Sequence, residues 1–126
     1  MRVAEIMSAD PICVPPDATR AEVQRLVNER RHLPVVAEEL LIGIVTPADL
    51  AKAGTTAAAL MTPDPITCTP EETVEVVAAR MAVHRVRGLP VLEGGRVVGV
   101  VTTFDLLDTL IHRSAPPLPG KLTESR

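Results

Sequence analysis

The chain has no tryptophan, no tyrosine and a single phenylalanine among its 126 residues, so recognition of nucleic-acid bases by aromatic stacking has almost nothing to work with. Any planar ligand must be gripped by aliphatic side chains. Cysteine is also scarce. Cys13 and Cys68 are the only two, too few for a disulfide framework and without the paired spacing of a zinc site, which points to reduced thiols. Positive charge is not in excess: 13 Lys plus Arg against 16 Asp plus Glu leave a net charge of −3, without the basic field of a nucleic-acid binder. The longest apolar stretches, such as Val97 to Val101, are strand-length and far below the ~20 residues of a membrane span. The N-terminus lacks an apolar signal region of about 7–15 residues. A cytoplasmic protein with neither nucleic acid nor membrane as partner is therefore expected. Catalytic patterns are missing too: there is no Ser/His/Asp or Cys/His arrangement with family spacing, no Gly-x-x-x-x-Gly-Lys loop and no His-x-x-x-His pair, so the expectation is that the chain is not an enzyme.

What the chain does have is a duplication. Met7-Ser-Ala-Asp-Pro-Ile-Cys-Val-Pro-Pro16 lies on Met61-Thr-Pro-Asp-Pro-Ile-Thr-Cys-Thr-Pro70 with five of ten positions identical, and Leu33 to Leu50 lies on Leu89 to Leu106 with eight of eighteen. Residues 1–55 and 56–113 thus read as two units, and 114–126, with three prolines, as a frayed tail that could dock on a partner. In the second unit Val74, Val77, Ala78 and Met81 follow the i, i+3, i+4, i+7 stripe of an amphipathic helix behind a Thr73 N-cap. In the first, Val23, Leu26 and Val27 do the same behind Thr19-Arg-Ala-Glu22, the spacing of a capping box. Each helix runs into Leu-Pro-Val. Leu89–Leu92 and Val97–Val101 then read as strands about a Gly94-Gly95 turn, and Ala37-Glu38-Glu39 makes the matching turn in the first unit. The near-continuous valines of Val97–Val101 predict a strand in mid-sheet, buried on both faces. A second helix follows at Thr46-Pro47 and at Thr102-Thr103. The predicted class is α/β (α+β), with the order strand, helix, strand, strand, helix in each unit.

Three repeated features carry candidate chemistry. Gly43-Ile-Val-Thr46-Pro-Ala-Asp49 and Gly99-Val-Val-Thr102-Thr-Phe-Asp105 place a helix N-terminus after a strand, where backbone N–H groups favour an anion and a carboxylate can accept from ribose hydroxyls. The same spacing is close to a capping box, so each Asp serves equally well to close its own helix. Arg30-Arg31-His32 and His84-Arg85-Val86-Arg87 precede the two Leu-Pro-Val segments; arginine forks suit phosphate, and cations also suit a helix C-terminus. Asp10-Pro11-Ile12 and Asp64-Pro65-Ile66 leave unpaired backbone groups that can meet the edge of a base, or simply form a turn before a core strand. Cys13 and Cys68 fall in those initial strands as small core residues.

Met-Ser/Thr-x-Asp-Pro-Ile, Leu-Pro-Val and Gly-h-h-Thr-x-x-Asp (h apolar), each present twice and in register from about Val3 to about Arg113, closely resemble the CBS domain family, the cystathionine β-synthase repeat, in its tandem form known as a Bateman module. The resemblance implies two β-α-β-β-α repeats packed sheet to sheet with pseudo-twofold symmetry and two clefts between them. It implies a homodimer built as a four-repeat disc, and regulation of a separate effector protein in place of catalysis. The ligand it implies is adenosyl: AMP, ADP or ATP in an energy-sensing role, S-adenosylmethionine, or an NAD-type compound. A purely structural dimerisation module with unoccupied clefts is the alternative. Carried over by motif, Asp49 and Asp105 would hold ribose hydroxyls, and Thr46 and Thr102 ribose or phosphate. Arg31, His32 and Arg87 would meet phosphate, and Ile12, Cys13, Ile66 and Thr67 would line the adenine pockets. Two departures stand out. The first unit is two residues shorter between Thr19 and Leu33 than the second between Thr73 and Leu89, and Gly88 replaces a basic residue before Leu89. With Arg87 nearly alone, a mono- or diphosphate, or a single occupied cleft, is expected.

Overall fold

The computed structural model describes residues 1–114, so all of the predicted tail after Ser114 lies outside the described residues. In chain order the elements are β1 (Ser8–Ala9), α1 (Arg20–Arg30), β2 (Leu33–Ala37), β3 (Leu40–Val45), α2 (Ala57–Leu60), β4 (Thr62–Pro63), α3 (Val74–His84), β5 (Gly88–Glu93), β6 (Arg96–Thr102) and α4 (Thr103–Thr109). Short 3₁₀ turns cover Val3–Glu5 and Pro47–Ala51, and a π-helical turn, Leu110–Ser114, continues α4. The mixed α/β class is as expected. Thr19 and Thr73 cap α1 and α3 by accepting from the backbone N–H groups of Glu22 (3.2 Å) and Val76 (3.3 Å). Val23, Leu26 and Val27 on α1, and Val77 and Met81 on α3, form the buried stripes.

The strands make two three-stranded sheets, ordered β2-β3-β4 and β1-β6-β5. The units exchange their first strands. β1, from the first repeat, pairs antiparallel with β6 of the second (Ser8 opposite Val100), and β4, from the second repeat, pairs with β3 of the first (Ile44 opposite Thr62). The cores follow this exchange: Val3 lies in the cluster around Cys68, Val77, Leu89 and Val101, whereas Ala57 and Leu60 lie in the cluster around Val14, Val27, Leu33 and Val45. The repeated Met and Gly meet across the exchanged pairs. A Cβ on Gly99 would stand 2.7 Å from Sδ of Met7, and Gly43 lies against Met61 in the same way, so each motif exists partly to fit the other.

Three sequence expectations change. The strands expected after Asp-Pro-Ile shrink to single parallel bridges, Val14 to Val35 and Cys68 to Val91, because the neighbouring prolines have no N–H to extend a ladder. The second helix of the first unit is only the 3₁₀ turn Pro47–Ala51. There the Arg20 guanidinium donates to the carbonyls of Leu50, Lys52 (2.8 Å) and Gly54 (2.9 Å) and holds them outside a helical ladder. β6 is the central strand, as predicted, but Val97, Val98 and Val100 are only half-buried, since so narrow a sheet is covered incompletely on its second face.

The sheets approach through their central strands, β3 against β6. Repeat-related residues meet one another there: His32 lies against Gly88, Glu39 pairs with Arg96 at 3.2 Å, and Leu40 packs on Gly95. The two hairpin turns have the same left-handed backbone but different residues. Gly94 and Gly95 have φ of 61° and 82°, as a two-residue type I′ turn requires; Glu38 and Glu39 have φ of 51° and 69° with a Cβ in the way. Glu38→Asn with Glu39→Gly is therefore expected to stabilise the fold by about 1 kcal/mol, the exposed Glu39–Arg96 pair contributing little to offset it. A urea midpoint that falls in the double variant would contradict this account of the turn.

Candidate ligand cleft

A cavity of about 680 Å³ opens between the two units. Its floor is the end of β3, Ile44 and Thr46, with Pro47 and Ala48 of the following turn. The exchanged strand and the turn after it add Thr62, Asp64, Pro65 and Ile66; the α3–β5 connection adds Arg85, Val86, Arg87, Gly88 and Leu89; and Arg31 and His32 close the far side. Local geometry delivers these groups. Asp64, at φ 47°, turns the chain into Pro65, and Asp10 does the same before Pro11 at φ 55°; aspartate tolerates this backbone region better than most residues. Arg31 and Arg85 are the C-cap residues of α1 and α3, both with positive φ, which turns the chain sharply away from the helix at each arginine.

Of the residues selected from sequence, Arg31, His32, Thr46, Ile66 and Arg87 line this one cavity. Others lie elsewhere. Ile12 packs on the first core, and Cys13 is half-buried with its thiol 3.9 Å from the carbonyl of Pro11, burial raising its pKa. The Thr67 carbonyl accepts from Arg80 at 2.9 Å, and the Arg80 guanidinium also holds Glu72 through bonds of 2.8 and 2.6 Å, which keeps the Glu72 carboxyl below its usual range. Burial, with the Glu72 charge and against that of Arg80, pushes the Cys68 thiol up to about 11, so it is an inert core group. Arg85, of the basic run before Leu89, and Thr62 and Asp64, of the repeated Met-Ser/Thr-x-Asp-Pro-Ile motif, also line the cavity, although the resemblance assigned them no ligand contact.

Asp49 and Asp105 both close their own helical turns. The Thr46 N–H donates to Asp49 Oδ2 at 2.9 Å, and the Thr102 N–H donates to Asp105 Oδ2 at 2.8 Å while Thr102 Oγ1 accepts from the Asp105 N–H at 3.2 Å. Beyond the cap the two differ. Asp49 is buried, and its Oδ1 accepts from the Thr62 hydroxyl (3.1 Å) and meets Lys52 Nζ at 2.9 Å. Burial raises its pKa, but Lys52, the Thr46 N–H and the Thr62 hydroxyl together outweigh burial and hold it below the usual carboxylate value. At the position of Lys52 the second unit carries Asp108. Asp105, Asp108 and Glu5, with Ile6 and Thr109, consequently line a smaller, acidic cavity of about 240 Å³. The larger cavity is lined by three arginines and one carboxylate, the smaller by three carboxylates and no base, so an anion is drawn to the larger one.

His32 sits where the units meet. A Cβ on Gly88 would stand 2.6 Å from its Nε2, so only glycine permits this approach, and its Nδ1 is buried without a hydrogen-bond partner. Burial and then the Arg31 charge lower its pKa below 6.5, against a smaller opposing pull from Asp105. Among the described residues no cluster of His, Cys, Asp and Glu is fit to hold a metal, and no helix is long and apolar enough to cross a membrane.

The CBS domain family model matches residues 3–55 and 57–112. The chain is 34% identical over 131 residues to the inosine-5′-monophosphate dehydrogenase of Korarchaeum cryptofilum, which accounts for 99% of this chain and 27% of that enzyme. It spans about a quarter of the length of the curated relatives it matches, the CBS part alone. The crystallised CBS domain pair of protein MJ0100, in complex with 5′-methylthioadenosine and S-adenosyl-L-methionine, superimposes with a TM-score of 0.81 at 33% identity, covering 87% of this chain and 95% of that one. The cytosolic domain of the Mg²⁺ channel MgtE in complex with ATP superimposes at 0.74 with 31% identity, over 86% and 48% of the two chains.

The two carboxylates differ enough to be told apart by stability. Asp49→Ala strands a buried hydroxyl, an N–H and an ammonium and is expected to cost about 2–3 kcal/mol, against about 1 kcal/mol for the cap lost in Asp105→Ala; chemical denaturation followed by circular dichroism compares them, and equal losses would refute the asymmetry. His32 gives a pH signature. Because its folded pKa lies below its unfolded value, its contribution is full above about pH 6.5 and fades as pH falls. His32→Gln is expected to flatten the decline in denaturation midpoint between about pH 7 and pH 5.5, the range in which an ordinary histidine titrates.

Proposed function

From the premise that the chain belongs to the CBS domain family, as a tandem pair of repeats, we propose that it is a non-enzymatic regulatory module that binds one adenine nucleotide in the larger cleft. The observation that carries this reading is the convergence of Arg31, Arg85 and Arg87 on a cavity of about 680 Å³ whose other walls include Ile44, Ile66, Val86 and Leu89. Aliphatic walls suit the faces of a base in a chain without Trp or Tyr, and guanidinium forks suit phosphate. Thr46, Thr62 and Asp64 are polar groups available to ribose hydroxyls. Relatives above 30% identity bind adenosyl compounds, S-adenosyl-L-methionine and 5′-methylthioadenosine in one case and ATP in another. The arginines order these for the present chain, since S-adenosylmethionine brings a sulfonium cation and AMP, ADP and ATP bring anions. Energy sensing follows from such a ligand.

The nucleotide acts by binding one arrangement of the units better than another, which a separate effector protein reads. In this reading the module works as a homodimer in the cytoplasm. Asp49, whose carboxylate already has three partners, positions Thr46 and Thr62 beneath the ligand. A structural dimerisation module with unoccupied clefts is the second reading, and the use of both Asp49 and Asp105 as caps favours it.

The absence of Trp and Tyr leaves the protein nearly transparent near 280 nm, so a co-purified nucleotide is visible at 260 nm. Isothermal titration of ligand-free protein is expected to give one site per chain, with ADP and ATP bound more tightly than S-adenosylmethionine. Arg87→Ala and Arg85→Ala are each expected to weaken ATP binding about tenfold or more, the loss of a charge-assisted hydrogen bond, with the unliganded melting temperature unchanged. No rise in melting temperature with any adenosyl compound would leave the second reading standing, because a ligand that binds only the native state must stabilise it.

A further inference from the structure

Of the three histidines, His32 alone is not exposed; His84 ends α3 in solvent, and His112 lies in solvent with Asp108 at 3.2 Å. The His32 ring rests against Gly88, its own repeat counterpart, where a Cβ would stand 2.6 Å from Nε2 and 2.7 Å from two ring carbons. Its Nδ1 is buried with no hydrogen-bond partner. A neutral imidazole carries one N–H, whereas an imidazolium carries a donor on both nitrogens and needs negative charge close by. The charges around the ring are positive on balance. Arg31, the preceding residue, opposes a proton, and Asp105 at the start of α4 favours one more weakly, while Arg85, Arg87 and Asp64 share the cavity that the ring lines. Burial and the Arg31 charge outweigh Asp105, so the ring is neutral at pH 7 without ligand.

A neutral His32 leaves the cavity short of positive charge for a nucleoside diphosphate. Its three arginines and Asp64 sum to two positive charges, and ADP brings about three negative ones at pH 7, because a terminal phosphate titrates near pH 6. We propose that an anionic nucleotide enters this cavity together with a proton from solvent, which His32 takes up, so that nucleotide affinity rises as pH falls through neutrality. The proposal rests on the nucleotide reading above and adds its regulation. A phosphate held by Arg31 brings the opposite charge to the neighbouring ring, and an opposite charge within about 4–6 Å moves a titration midpoint by roughly 1–3 pH units, enough to carry an imidazole from below pH 6.5 to neutrality. The proton also has a structural consequence. It strengthens the attraction between His32 of the first unit and Asp105 of the second, whose carboxylate caps α4 through the Thr102 N–H at 2.8 Å. Filling the larger cavity thereby tightens the seam between the units.

Titration calorimetry of ADP into the full chain at about pH 7, run in two buffers of different ionisation enthalpy, reads the protons taken up on binding. The wild type is expected to take up about half a proton more per ADP than His32→Gln, and its affinity to gain about threefold more than the variant's between about pH 7.5 and pH 6.5, as linkage requires. Comparison with the variant subtracts the protons that the phosphate of ADP itself exchanges. Should His32→Gln fail to fold, the His32 imidazole is followed by NMR in the wild type, where saturation with ADP is expected to raise its titration midpoint by about one pH unit or more. Equal proton uptake by wild type and variant, or an imidazole that titrates unchanged in the ADP complex, overturns the proposal and leaves the nucleotide reading in place. If ADP binds at neither pH, the nucleotide reading falls and the proposal falls with it.

Discussion

Neither sheet is complete without the other repeat. β3 gains its third strand from Thr62–Pro63 and β6 gains its third from Ser8–Ala9, and each exchanged strand brings a methionine that occupies the space over a glycine of the opposite unit. A two-stranded sheet of five to seven residues a strand is marginal in water, so the exchange is what makes two half-sized repeats into one cooperative body. It also builds the cleft. The chain leaving β4 passes directly into Asp64, Pro65 and Ile66, which are cavity walls, so the pairing that completes the first sheet also carries second-repeat residues to the end of β3.

A duplicated chain begins with two equal units, and small substitutions have made their surfaces unequal. Asp108 in place of Lys52 turns the neighbourhood of Asp105 acidic, and the longer connection before Leu89 carries both Arg85 and Arg87 to the larger cavity. Gly88 opposite His32 leaves room at the meeting point for one imidazole ring and no second. None of these changes touches the buried stripes, where a methylene more or less is costly, which is why the folds of the two halves remain alike while their surfaces take separate roles.

Periodicity alone determined much of this protein. The α1 and α3 stripes, their threonine caps, the hairpins at Glu38-Glu39 and Gly94-Gly95 and the central place of β6 follow from residue spacing, because caps, stripes and turns are set by neighbours a few positions away. Tertiary structure decided the rest. Nothing within ten residues of Met7 says that it belongs over Gly99, since strand exchange is a choice between pairing partners of nearly identical sequence. Arg31, Arg85 and Arg87 are ordinary helix-end cations in sequence and come to line one cavity only when the units meet. Asp49 and Asp105 are identical in motif; burial beside Lys52 in one case and exposure to Asp108 and Glu5 in the other separates them. Local interactions are written in the order of residues, whereas electrostatic fields and cavities depend on distances that only the folded chain creates.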